Sequence, residues 1–359
     1  MLPLFDRTEQ FESLIEKVQG CNACADMAGC TRVLSWSNGR PDARVMFVGE
    51  APGRLGADRT AVPFHGDKAG DNFERLIALA GLRRSEIFVT NAVLCNPRDA
   101  DGNNAPPSRR NLISCAANLS EQIALVNPAI VVTLGTAALE STRLIETHEL
   151  RLSTDVRTRN DWYGRALVPL YHPGARAMIH RNFALQTADY YFIGEQVRRL
   201  NAPKRSKRSP KSAGYAWDIV QYIVSQLREV SLFRLHKALY LIDLRSKEQQ
   251  GESLTGFLYI RQKDGPYCVE LGGGWHRQFE DIRFKVTRGK PHIVWQSSTS
   301  LESQPMIDAS DRDRVDQLLH SIENLTDDQL KSKVYLTKSM RGVLAAEKAG
   351  LSQLNRPLL

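Results

Sequence analysis

Four short apolar runs, at residues 44–48, 87–90, 130–134 and 166–170, alternate with stretches in which apolar residues recur at three- and four-residue steps, at 70–80, 109–126 and 137–146. Runs of that length and continuity predict strands buried on both faces, and the helical period between them predicts crossover helices. The pattern therefore predicts an α/β fold: a doubly wound, mainly parallel four-stranded sheet with helices on both faces. Such sheets bind ligands at the carboxyl ends of their strands. The turns at those ends carry the most specific sequence of the chain: Gly49-Glu50-Ala51-Pro52-Gly53 after the first run, Asn91 after the second, and Tyr171-His172-Pro173-Gly174 after the fourth.

The chain's 359 residues are enough for two domains. Residues 1–200 make up the α/β domain. Residues 201–214 are rich in Pro, Ser, Lys and Arg, including Lys204, Arg205, Lys207, Arg208 and Lys211, and read as a basic linker. Helical periodicity resumes at 217–244 and gives way to strand and turn signals, so residues 215–345 read as a smaller α+β domain. No stretch has the apolar length of a membrane span, and Met1 to Gln10 lacks the order of a secretory signal, which together predict a cytoplasmic protein with no membrane partner. The net charge of +8 is compatible with a polyanionic partner such as DNA. Six cysteines are too few for a disulfide scaffold in a chain of this size. Cys21-x-x-Cys24, with Cys95 and Cys115, instead suits an iron-sulfur cluster or a zinc ion.

The sequence Gly49-Glu50-Ala51-Pro52-Gly53, then Pro63-Phe64-x-Gly66, Asn91 and His172-Pro173, resembles the uracil-DNA glycosylase superfamily over residues 15–200, and its cluster-bearing branch in particular. The resemblance implies a [4Fe-4S] cluster on Cys21, Cys24, Cys95 and Cys115, with zinc as the runner-up. It implies a monofunctional DNA glycosylase that flips a base and hydrolyses its N-glycosidic bond, acting on uracil or a modified pyrimidine. A phage-type modified cytosine falls within that range and would make the protein a defence enzyme. DNA is the implied partner. Two other readings stand beside this one: a catalytically silent DNA-binding or lesion-sensing module, and an antitoxin-like adaptor.

Breaking a bond between C1′ and a base nitrogen leaves an oxocarbenium-like sugar and an anionic base. The site therefore needs donors near the base oxygen, and negative charge or an oriented water near the sugar. His172 is the expected donor. Asn91 can present a donor and an acceptor to a pyrimidine's pairing edge, or close its strand with an Asx turn. Phe64 is the expected stacking ring, a core phenylalanine being its plain alternative. Gly49 and Ala51 belong to the implied base pocket, and Gly53, Lys68 and Arg176 to the DNA contact. Either Glu50 or Asp58 could orient water, because the acidic run usual in the family is replaced here by Arg54-Leu55-Gly56-Ala57. Gly174 stands where the family often has serine. Gly70 and Asn72 could bind a phosphate or cap a helix.

The segment Leu235-His236-Lys237-Ala238-Leu239-Tyr240, with Gly251, Gly256 and Gly265-Pro266, resembles the SocA-like or Panacea family associated with antitoxins. It implies recognition of a protein partner by the C-terminal domain.

Overall fold

The computed structural model describes residues 4–201, 213–272, 274–296 and 305–359. The chain divides into two compact units, Met1–Pro203 and Lys204–Leu359. Most of the expected basic linker lies outside the described residues.

The first unit contains helices α1 (Leu4–Gln19), α2 (Ala57–Thr60), α3 (Lys68–Leu79), α4 (Arg109–Val126), α5 (Thr136–Arg143), α6 (Leu152–Asp155), α7 (Ala175–Met178) and α8 (Phe183–Asn201). They surround strands β1 (Val45–Gly49), β2 (Phe88–Asn91), β3 (Ile130–Leu134), β4 (Asn160–Trp162) and β5 (Arg165–Leu170). The strand order is β2-β1-β3-β5-β4. The four predicted strands are the parallel ones, and β4 adds a short antiparallel edge that the sequence pattern did not signal. Strand alternation divides the core in two. Met46 and Val48 of β1 face Phe11, Leu119 and Ile123, while Val45 and Phe47 face Phe73, Leu76 and Ile193. Each face of the sheet thus buries its own helical stripe, which is why the strands read as unbroken apolar runs.

The second unit contains helices α9 (Ala213–Leu227), α10 (Leu232–Gln250), α11 (Ala309–Ile322), α12 (Asp327–Tyr335) and α13 (Lys338–Lys348). Strands β6 (Glu229–Ser231), β9 (Ile282–Thr287) and β10 (Lys290–Trp295) form an antiparallel sheet ordered β6-β10-β9, and β7 (Tyr259–Gln262) pairs with β8 (Gly265–Cys268). The expected helix over 217–244 is in fact two helices. The chain breaks at Arg228, whose φ of 59° is left-handed, and β6 intervenes before Ser231 caps α10. The polar residues of the Leu-His-Lys segment hold α10 to the hairpin: His236 Nδ1 accepts from the Cys268 N–H at 3.0 Å, and Lys237 donates to the Pro266 carbonyl at 2.9 Å. Among the described residues no helix is long and apolar enough to cross a membrane.

Candidate active site

A cavity of about 540 Å³ opens at the carboxyl ends of β1, β2 and β5, lined among others by Glu50, Phe64, Asp67, Asn91, His172 and Arg176. Neighbouring strands that run parallel place their last residues side by side, and β1 meets β2 with Gly49 opposite Asn91. A Cβ at Gly49 would stand 2.4 Å from the Asn91 Oδ1 and 2.7 Å from the Phe64 ring, so only glycine admits both groups. Asn91 is 2 % exposed, yet its amide takes no hydrogen bond among the described residues. A buried amide without a partner is costly unless something in the cavity satisfies it.

Phe64 adopts φ 51°, a left-handed conformation unusual for a bulky residue, held by stacking on Phe73 at 4.8 Å. Its ring also lies 5.5 Å from the His172 ring. Opposite, the turn bearing His172 is fastened from two helices. Asn72 of α3 donates to the Pro173 carbonyl at 2.9 Å, and Gln186 of α8 donates to the His172 carbonyl at 3.3 Å. Asn72 therefore clamps the turn, and Gly70 gives its N–H to Asp67, the N-cap of α3; neither serves the phosphate site that the sequence left open.

The imidazole of His172 accepts from the Gly174 N–H through Nδ1 at 3.0 Å. A lone pair on Nδ1 puts the proton of the neutral ring on Nε2. The packing around His172 removes most of the water that would hydrate an imidazolium and lowers its pKa to about 4, with only partial compensation from the charge of Asp67. The ring is thus a neutral donor at physiological pH. Gly174 matters for the same reason: a Cβ there would come within 2.8 Å of Nδ1.

Glu50 borders the cavity, its pKa raised by burial and partly offset by Arg176. Ala51 and Gly53 supply backbone wall. Asp58, in contrast, is not in the cavity lining. It is buried on α2, where Oδ1 accepts from the Thr31 N–H at 3.0 Å and Oδ2 pairs with Arg98 at 2.6 Å. Both oxygens are spent on joining α2 to the N-terminal segment and to the loop after Cys95. Lys68, the first residue of α3, is exposed and lies outside the cavity lining. Asp67 and Asn96 also line the cavity, and the sequence motifs did not single them out; a cap three residues before Gly70 was the available signal for Asp67. Ile179, 81 % exposed, follows α7 and precedes His180 of the cavity wall; it presents an apolar side chain to solvent three residues beyond Arg176.

Cys21, Cys24, Cys95 and Cys115 are all free thiols; Cys95 lies within electrostatic reach of Cys21 and Cys115, and Cys115 within reach of Cys21 and Cys24. Burial and the neighbouring Cys115, Cys30 and Cys21 push the Cys95 thiol up to about 12, with Arg32 opposing them. Cys30 gives its S–H to the Asn96 carbonyl at 3.3 Å. Among the described residues no three His, Cys, Asp or Glu side chains are arranged to hold a metal ion. Asn96, next to Cys95, reaches the site loop by donating to the Pro52 carbonyl at 2.5 Å.

A doubly wound sheet whose strand ends gather an open amide, an aromatic ring and an imidazole in one cavity fits the class of DNA N-glycosylases. The description "Uracil DNA glycosylase superfamily" belongs to a family model that matches residues 36–192. A Type-4 uracil-DNA glycosylase of Thermotoga maritima is 32% identical over 171 residues, 47% of this chain and 84% of that one. Its counterpart from Saccharolobus solfataricus is 34% identical over 175 residues, 46% of this chain and 77% of the relative. A Type-5 uracil-DNA glycosylase of Pyrobaculum aerophilum is 28% identical over 156 residues, 36% and 67% of the two chains. The chain belongs to the uracil-DNA glycosylase superfamily.

Proposed function

We propose that this DNA glycosylase is monofunctional, draws a pyrimidine nucleotide out of the duplex into the cavity, and hydrolyses its N-glycosidic bond to leave an abasic site. The observation that carries this is the meeting of Asn91, Phe64 and His172 in one cavity, with the Asn91 amide free for a ligand. In this reading Asn91 reads the pairing edge and Phe64 stacks on the ring. The Nε2–H of His172 donates to the base oxygen on which negative charge develops as the bond breaks, a donor worth most in a water-poor site. Gly49 and Ala51 shape the base pocket, Gly53 and Arg176 meet the DNA backbone, and Ile179 fills the space that the extruded nucleotide vacates.

Uracil is the base named for the similar proteins, and it is the first substrate to test. The cavity's 540 Å³ is of the size that holds drug-sized ligands, which supports a pyrimidine bearing a substituent, phage-type modified cytosine included, as the second. Duplexes carrying uracil, modified cytosines or ordinary bases, incubated with the protein and then treated with alkali, report abasic sites directly. Strand breaks at none of the modified positions, with DNA binding retained, would make the protein a silent lesion-sensing module.

The resemblance to the cluster-bearing branch, with Cys115 within electrostatic reach of Cys21 and Cys24, supports a [4Fe-4S] centre on Cys21, Cys24, Cys95 and Cys115, which would join the N-terminal segment to the loop after β2 and supply structural cohesion. Iron and acid-labile sulfide in anaerobically purified protein test this, and zinc alone would overturn it. For the second unit we propose a role in docking a protein partner, in keeping with the SocA-like or Panacea resemblance. Its edge strand β9 carries exposed Phe284 and Val286, a surface suited to strand addition.

A further inference from the structure

We infer that Asp67 is a carboxylate this site sets against the sugar and its attacking water, a role for which Asp58 has no free oxygen. The inference rests on the glycosylase reading and adds a residue to it. Its starting point is the accounting of carboxylate oxygens around the cavity. Asp58 has none to offer, since Thr31 and Arg98 hold both. Glu50 borders the cavity within electrostatic reach of the cation of Arg176, which draws on its charge.

Asp67 is placed differently from Asp58. It lines the cavity, and its charge reaches the imidazole of His172. One oxygen, Oδ1, is fixed by the Gly70 N–H at 2.9 Å, so the side chain is oriented by the first turn of α3, where a negative charge is favoured. The other, Oδ2, takes no hydrogen bond among the described residues. The chain clears space for it: a Cβ at Gly53 would stand 2.7 Å from Oδ2, and one at Gly56 2.4 Å. A carboxylate with one oxygen anchored and the other open beside the loop after β1 is preorganised for a positioned water.

The step balances without a co-reactant. The bond from C1′ to the base nitrogen breaks, and its electron pair leaves with the base, whose oxygen His172 holds. The water oxygen forms the new bond to C1′ while Oδ2 takes its proton, which then passes to the departing base or to solvent. One water is consumed, and nothing is oxidised or reduced.

The test is single-turnover excision on whichever duplex the wild-type protein cleaves. Asp67→Asn is the informative variant because asparagine caps a helix as well as aspartate and keeps the acceptor for Gly70. It should excise about 100- to 1000-fold more slowly. Its DNA affinity should stay within about twofold, since base-directed chemistry and phosphate contact are separate. Asp58→Asn should lower the melting temperature and keep the rate per folded molecule. Asp67→Asn at the wild-type rate, or Asp58→Asn slowed as much as Asp67→Asn, would overturn the assignment. If the wild-type protein frees no base from any duplex, the glycosylase reading itself falls, and the role of Asp67 with it.

Discussion

At the scale of single residues, Gly49 shows how little room the site leaves. Gly49→Ala drives a methyl group into both the Asn91 Oδ1 and the Phe64 ring, so both base-facing groups must move. A displacement of that kind lowers excision about 100-fold while leaving DNA affinity in place, as single-turnover rates and a binding titration will show. His172 gives a second prediction, in pH. Its pKa is about 4 in the fold against the ordinary 6.5, so the unfolded chain binds the extra proton between those values. The contribution to stability is present above pH 6.5 and is lost as pH falls toward 4. Melting temperatures of His172→Gln should therefore fall less steeply with acid over that window than those of the wild-type protein; parallel curves would refute the neutral, buried imidazole. That His172, Asn91 and Phe64 meet in one cavity was foreshadowed by the family resemblance that singled them out and, for Asn91 and His172, by their place after parallel strands. The fate of Asp58 was not, since its partners Thr31 and Arg98 lie 27 and 40 residues away along the chain.

At the scale of elements, the parallel strands and the span of α4 followed from periodicity alone, because burial on both faces leaves an unbroken apolar signature. What escaped were features set by tertiary hydrogen bonds: the short strand β4, the break at Arg228, and the true start of α3 at Lys68. That start has a consequence for the site. With Asp67 as its cap, α3 turns Asn72 toward the Pro173 carbonyl, so the helix holds the turn carrying the general donor. Asn72→Ala leaves that buried carbonyl unsatisfied and should cost about 1–3 kcal/mol of stability. Excision should slow as well, because the His172 turn then hangs on Gln186 alone of the two side-chain donors. Denaturant unfolding and single-turnover kinetics on one preparation separate the two effects, and an unchanged rate would mean that the turn holds itself.

At the scale of the whole molecule, the hydrophobic clusters among the described residues each draw on one unit. The two clusters that sandwich the first sheet draw on residues between Phe11 and Ile193, and the third on residues between Ile219 and Leu358. The composition change after Asn201 hinted at such a division, whereas the partition of the first core between two sheet faces could be read only from strand alternation once the register was known. A core that is complete within its own unit gives that unit its own cooperative transition. Calorimetry should therefore resolve two unfolding events. A duplex carrying a non-cleavable analogue of the excised nucleotide binds the folded first unit and not its unfolded chain, so it should raise one transition and leave the other in place. At a free duplex concentration about 100 times its Kd, the added stability is about 2.7 kcal/mol. A shift of both events together would show that the second unit also engages the DNA, and a single event would show that the units unfold as one.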